Sequence, residues 1–150
     1  MEITHQDTFK WKVKGKAATV SFDLGRVLID DFEITGPGEY EVKGVAVRGV
    51  KSQDQQVFRV KIDNVKFLYP GLSTEKLKEE VMEVVDGVDI LFTNNLDLVS
   101  QIEPKIAIPF GDEEQVKKFI KDLGKEGIEK LPKLVTSADK LPDLLEVVWL

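Results

Sequence analysis

One histidine, His5, and no cysteine occur in a chain of 150 residues. That scarcity limits the chemistry. A hydrolytic zinc centre takes about three protein ligands from His, Cys, Asp and Glu and leaves one position open. The metal then lowers the pKa of bound water to about 7 and so supplies a nucleophile. One imidazole without thiolates falls short of the usual zinc donor set. The other donors are carboxylates, and an all-oxygen site suits Mg²⁺ or Ca²⁺ better. His5, Asp23, Asp30 and Asp31 are the one grouping that could meet near strand ends. Converging in a cleft, they would form a rebuilt, carboxylate-based hydrolase site. Diverging, they are solvated loop and cap residues. A Ser-His-Asp nucleophile would have to use His5, and the strand-to-helix elbow that exposes such a serine is missing. No Gly-rich phosphate loop opens a helix.

Lys10, Lys12, Lys14 and Lys16 form a stripe at alternate positions. Such a stripe could touch nucleic-acid phosphates. The competing reading is charge that protects an exposed strand edge. The net charge of −6 argues against binding nucleic acid through a bulk field. Residues 1–75 hold 11 basic and 11 acidic side chains, so the acidic excess lies in the second half.

The elements that must position these residues are legible in outline. The first half reads as strands. Apolar and basic residues alternate over Phe9 to Lys14, and Ala17 to Phe22 returns after a Gly15-Lys16 turn. Shorter apolar pieces follow at Arg26–Ile29 and Phe32–Ile34. Gly36-Pro37-Gly38 is a turn by composition. Tyr40–Val42 and Val45–Val47 break at Lys43-Gly44. Val57–Ile62 and Val65–Tyr69 form a hairpin around Asp63-Asn64. The second half changes period. Ser73 is placed to cap a helix from Thr74 to about Val85. Val88–Phe92 and Lys105–Ile108 read as strands buried on both faces. Leu96–Ile102 reads as a helix ending before Pro104. Asp112 and Gln115 have the spacing of a capping box, opening a helix whose apolar stripe is Val116, Phe119, Ile120 and Leu123. Leu145–Leu150 reads as a terminal strand, which could also pair with a second subunit. Strands followed by alternating strands and helices indicate one α/β or α+β domain over residues 1–150.

The segment Gly36–Gly49, G-P-G-E-Y-E-V-K-G-V-A-V-R-G, resembles a strand-turn-strand signature of small bacterial and archaeal proteins in the metallo-β-lactamase fold superfamily. These are Zn-dependent hydrolase-like proteins related to ascorbate-phosphate lactonases. The likeness extends to the opening M-E-I-T and K-V-K-G-K-A-A-T-V, to Val88-Asp89-Ile90-Leu91, to Gln101–Pro109 (Q-I-E-P-K-I-A-I-P) and to the tail from Lys140. It implies an αββα sandwich, and it implies positions for metal ligands. At those positions this chain departs. Asp7, Thr8 and Phe9 stand where the family has a Gly-His-Ser type turn. Asp23 runs almost directly into Phe32, so the segment with the His-x-His-x-Asp-His motif looks deleted. Ser52–Gln56 lacks the third histidine. Pro70 stands at the bridging aspartate and Gly111 at the last histidine. The resemblance therefore implies a shortened family member without its metal or other cofactor. The leading expectation is a non-catalytic binding or structural module that forms homo-oligomers. The alternatives are the carboxylate-based hydrolase and nucleic-acid binding through the lysine stripe. The N-terminus has no signal-peptide pattern and no stretch is long enough to span a bilayer, so a cytoplasmic location is expected.

Overall fold

A computed structural model describes residues 1–72, 75–85 and 87–150. Its strands are β1 (Glu2–Asp7), β2 (Lys10–Lys14), β3 (Thr19–Asp23), β4 (Arg26–Ile29), β5 (Phe32–Ile34), β6 (Gly38–Val42), β7 (Val45–Ser52), β8 (Gln55–Ile62), β9 (Val65–Tyr69), β10 (Ile90–Phe92), β11 (Ile106–Ile108), β12 (Leu134–Val135) and β13 (Glu146–Val147). Its α-helices are α1 (Glu79–Val84), α2 (Leu96–Ile102) and α3 (Glu113–Asp122).

The strands form two sheets. The six-stranded sheet has the order β12-β1-β2-β3-β4-β5, and the seven-stranded sheet β13-β11-β10-β9-β8-β7-β6. Period-two alternation buries one face of each. Ile3, Trp11, Val13, Val20, Phe22 and Val27 point inward from the first sheet against Val47, Phe58, Val60, Phe67 and Phe92 of the second. Burying a side chain of this size contributes about 1.5–3 kcal/mol each. A second apolar layer joins the back of the seven-stranded sheet to the helices. There Leu68, Leu91 and Ala107 meet Val81, Leu98, Val116, Phe119 and Ile120.

All three described α-helices thus lie on one outer face. The six-stranded sheet carries none among the described residues, although the resemblance implied helices on both sides. Its own sequence explains this. Glu2, Thr4, Lys12, Lys14 and Ser21 point outward and offer no apolar stripe for a helix to cover.

The chain first passes from one sheet to the other at one lateral edge, between β5 and β6. Gly49 of β7 lies under this crossing, where a Cβ would sit 2.6 Å from the Gly36 carbonyl oxygen. Only glycine lets the two backbones approach so closely. At the opposite edge residues 131–136 tie the sheets together. The Leu131 N–H donates to the Trp149 carbonyl, and Leu134 and Val135 pair with Ile3 and Glu2.

Several expected boundaries shift. The strand at Glu2–Asp7 agrees with the opening hairpin that the resemblance implied, and apolar periodicity does not mark it, because it carries one buried apolar residue, Ile3. The helix expected from Thr74 spans Glu79–Val84 with Lys78 at its N-cap, while Ser73 and Thr74 fall outside the described residues. The terminal strand is Glu146–Val147, shorter than Leu145–Leu150, and pairs parallel with β11. The lysine stripe is not an edge, since β2 lies between β1 and β3. No helix among the described residues is long and apolar enough to cross a membrane.

Candidate functional site

The sandwich has two unlike ends. At the upper end β1, β3, β9, β10 and β11 terminate. The Tyr69 hydroxyl donates to the Phe9 carbonyl at 2.5 Å, and the Phe9 ring meets Phe110 edge-on at 5.5 Å. These contacts set the β1–β2 turn over the ends of β9 and β11. At the lower end the turns of the two sheets meet. The Lys16 N–H donates to the Asp63 carboxylate at 3.0 Å, and Lys43 Nζ lies 2.5 Å from Asp30.

The positions implied as metal ligands lie at the upper end. Pro70 follows Tyr69 and is buried. Gly111 follows β11 with φ +118, and a Cβ there would lie 2.5 Å from Gln115 Oε1. That oxygen is already engaged. It accepts from the Asp112 N–H at 3.0 Å while the Asp112 carboxylate accepts from the Gln115 N–H at 2.8 Å. The expected capping box is therefore present, and it fills the space into which a residue-111 side chain would project. Ser52–Gln56 forms the end of β7, the turn at Gln53 and the start of β8, and the Gln53 side chain donates to Glu75.

Between the sheets, below these positions, the interior is aromatic. Trp11 stacks on Phe92 at 5.2 Å, Phe22 lies 5.2 Å from Phe92 and 5.8 Å from Tyr69, and Phe67 stacks on Phe92 at 6.0 Å. Offset and edge contacts of this kind add about 0.5–1.5 kcal/mol each beyond area burial. Burial and, secondarily, the Asp23 charge push the Tyr69 hydroxyl well above its ordinary pKa. It stays neutral and serves as a donor.

His5 stacks on Trp11 at 4.2 Å, and its Nε2 is buried without a hydrogen-bond partner. With Gly111, Phe110, Glu113, Lys130 and Trp149 it lines a cavity of about 210 Å³. Glu113 is the one carboxylate side chain in that lining, and it pairs with Lys117 at 3.0 Å.

The four candidate ligands do not meet. Asp23 sits at the β3–β4 turn of the upper end, bound to Arg26 at 3.2 Å. Asp30 and Asp31 occupy the β4–β5 turn at the lower end, and roughly 13 Å of strand lies between the two turns. Asp30 accepts from the Thr19 N–H and pairs with Lys43, whose hydrogen bond holds its carboxyl below the usual carboxylate range. Among the described residues no three His, Cys, Asp or Glu side chains are grouped so as to hold a metal ion.

The lysine stripe also divides. Lys12 and Lys14 are exposed on the outer face, Lys10 is half-buried at the start of β2, and Lys16 is exposed at the following turn. Lys12 faces Thr4 and Ser21, and Lys14 faces Glu2 and Thr19. A different basic group was missed from the sequence. On the outer face of the seven-stranded sheet Arg48 opposes Arg59 and Lys61 opposes Lys66. These four residues are separated in sequence, and only the register brings them together.

No protein-family profile matches the chain, and no curated protein does. A solved structure does match. It is a Thermotoga maritima protein provisionally assigned as a Zn-dependent hydrolase of the metallo-β-lactamase superfamily, with a TM-score of 0.81 and 17% sequence identity. The match covers 99% of this chain and 97% of that one. At this identity the likeness is one of fold. The metallo-β-lactamase-like sandwich expected from the sequence is therefore present.

Proposed function

We propose that this chain is a non-catalytic member of the metallo-β-lactamase fold, kept as a binding or structural module. The carrying observation is Gly111. The position implied for the last histidine has a backbone conformation suited to glycine, and its side-chain space is filled by the Asp112–Gln115 capping box. Pro70 offers no donor at the bridging position. The resemblance implies a histidine-rich segment between Asp23 and Phe32, and there the chain makes a β3–β4–β5 meander with turns of two residues. We read that as a deletion. The residues present do not fit a zinc centre. The carboxylate-based alternative lacks support, because Asp23 and Asp30 engage separate partners at opposite ends. A bare polar sheet face leaves room for self-association or for a protein partner.

Metal analysis of purified protein tests this reading. The expected result is well under one Zn, Mn or Fe per chain. Gly111→His is expected to acquire no zinc and to lose stability by about 1–3 kcal/mol, the cost of a strained left-handed backbone with a displaced cap. Stoichiometric metal in the wild type, with hydrolysis of an ester, lactone or phosphodiester, would overturn it.

A further inference from the structure

Directly opposed like charges on one face of an antiparallel sheet repel each other, yet the seven-stranded sheet places two such pairs on adjacent rungs. Arg48 faces Arg59, and one rung on, Lys61 faces Lys66. Arg59, Lys61 and Lys66 are half-buried, and among the described residues their side chains form no ion pair or hydrogen bond. The Arg59 Nε is buried with no acceptor. Arg48 has only Glu39, at 2.9 Å, and that carboxylate is 75% exposed. Ala46 stands opposite Lys61 on the second rung. Its small side chain leaves two adjoining hollows. One, of about 350 Å³, is lined by Arg48 and Arg59 with Glu39 and Glu41, and the other, of about 450 Å³, by Lys61 and Lys43 with Glu41 and Asp63, opening round the lower end to Ala17 and Ala18 of the other sheet.

From this arrangement we infer an anion site on the outer face of β7–β9, and the geometry points to a short chain of linked phosphoryl groups as its ligand. Same-face rungs lie about 7 Å apart along a strand. A single sulfate or orthophosphate therefore reaches one rung, and an oligophosphate reaches both. Linked phosphates also offer acceptors in the geometry that a guanidinium fork binds. Tyr40, the one aromatic residue in these linings, is half-buried with its hydroxyl donating to the Pro37 carbonyl, and the net charge of −6 opposes a polyanion as large as a duplex. Glu41 borders both hollows and works against the anion. The lysine stripe on the other sheet is the internal contrast, since its cations face Thr, Ser and Glu. The site is independent of the fate of the metal end.

The test is calorimetric titration of the full chain with tripolyphosphate in about 150 mM salt, where distant surface charges are screened within roughly 8 Å. The expected result is saturable binding at one per chain. Arg59→Gln with Lys61→Gln should weaken it at least tenfold, Arg59→Lys should retain it in part, and Glu41→Gln should tighten it. Lys12→Gln with Lys14→Gln should leave it unchanged. The unliganded Arg59/Lys61 variant should melt at or above the wild-type temperature, because an opposed charge is gone, and this shows that lost binding is not lost folding. Adenosine triphosphate binding equally well would identify the phosphate chain itself as the ligand, and tenfold tighter binding would identify a nucleotide. Failure of tripolyphosphate to saturate overturns the inference. So does equal binding of sulfate at matched ionic strength, or an equal loss in the Lys12/Lys14 variant.

Discussion

The two ends of the sandwich are held by different physics. The upper end is closed by apolar packing, with Phe9, Trp11, Phe22, Tyr69, Phe92 and Phe110 in one connected set of ring contacts. The lower end is stitched by polar contacts between turns, as in Lys16 to Asp63 and Lys43 to Asp30. The upper end gathers the carboxyl ends of the parallel strands β9, β10 and β11, the position at which open α/β sheets take their ligands. Here it holds the ring cluster, with the Asp23–Arg26 pair at its rim, while the turns of the lower end meet through polar groups. A reaction site needs open, solvated polar groups, and an interior of stacked rings is the opposite environment.

The sharpest way to break this contrast is Phe92→Ala. Its ring touches Trp11, Phe22, Phe67 and Tyr69. Truncation should cost about 3–5 kcal/mol, the range for a large cavity in a packed core. Denaturant unfolding would measure it. A loss below about 1 kcal/mol would mean that the upper end is loosely packed.

Tyr69→Phe probes a polar contact within that packed end. Loss of the bond to the Phe9 carbonyl should cost about 1 kcal/mol at neutral pH. The pH dependence is more specific. Tyr69 has a folded pKa raised above its ordinary value of 10.0. Its contribution is full below pH 10 and is lost as pH rises toward the folded pKa, because the unfolded chain ionises first. Wild-type melting temperature should therefore fall in alkali more steeply than that of the Phe variant. Parallel alkaline profiles would show that Tyr69 ionises freely.

Asp30→Asn should give the smallest effect, since the Lys43 pair is exposed. Asp30 has a depressed folded pKa. Its contribution is present above the ordinary value of 3.8 and is lost as pH falls through the lower, folded value. The variant and the wild type should converge in acid and differ slightly at neutral pH. A loss as large as that of Phe92→Ala would reverse the ranking of the two ends.

Much of the fold could be read before the coordinates. Arg26–Ile29, Phe32–Ile34, Val65–Tyr69 and Leu96–Ile102 have the expected bounds, because two-residue turns or an adjacent proline fix where each stops. Asp63 and Asn64 both take positive φ, as their loop requires. The Asp112–Gln115 box was legible because it is local. What was hidden depends on pairing at a distance. β1 has one buried apolar residue, and its His5 is explained by a Trp11 neighbour on the next strand. The opposition of Arg48 to Arg59 follows from the register across the β7–β8 turn, and charge counting does not contain it. The closing of position 111 needed the Gln115 side-chain direction, which spacing alone does not give.

The unequal edges of the sandwich give it the construction of a bound book. The covalent crossing at Gly36–Pro37 is the spine, and the segment from Leu131 to Thr136 is the clasp on the open side. The spine admits no separation, so the two covers can part only by swinging about it after the clasp lets go. The small cavity that holds His5 and Gly111 lies on the clasp side. It is therefore the first interior surface that such a swing would uncover, and the cations on the back of β7–β9 ride on a cover whose shape the swing leaves alone.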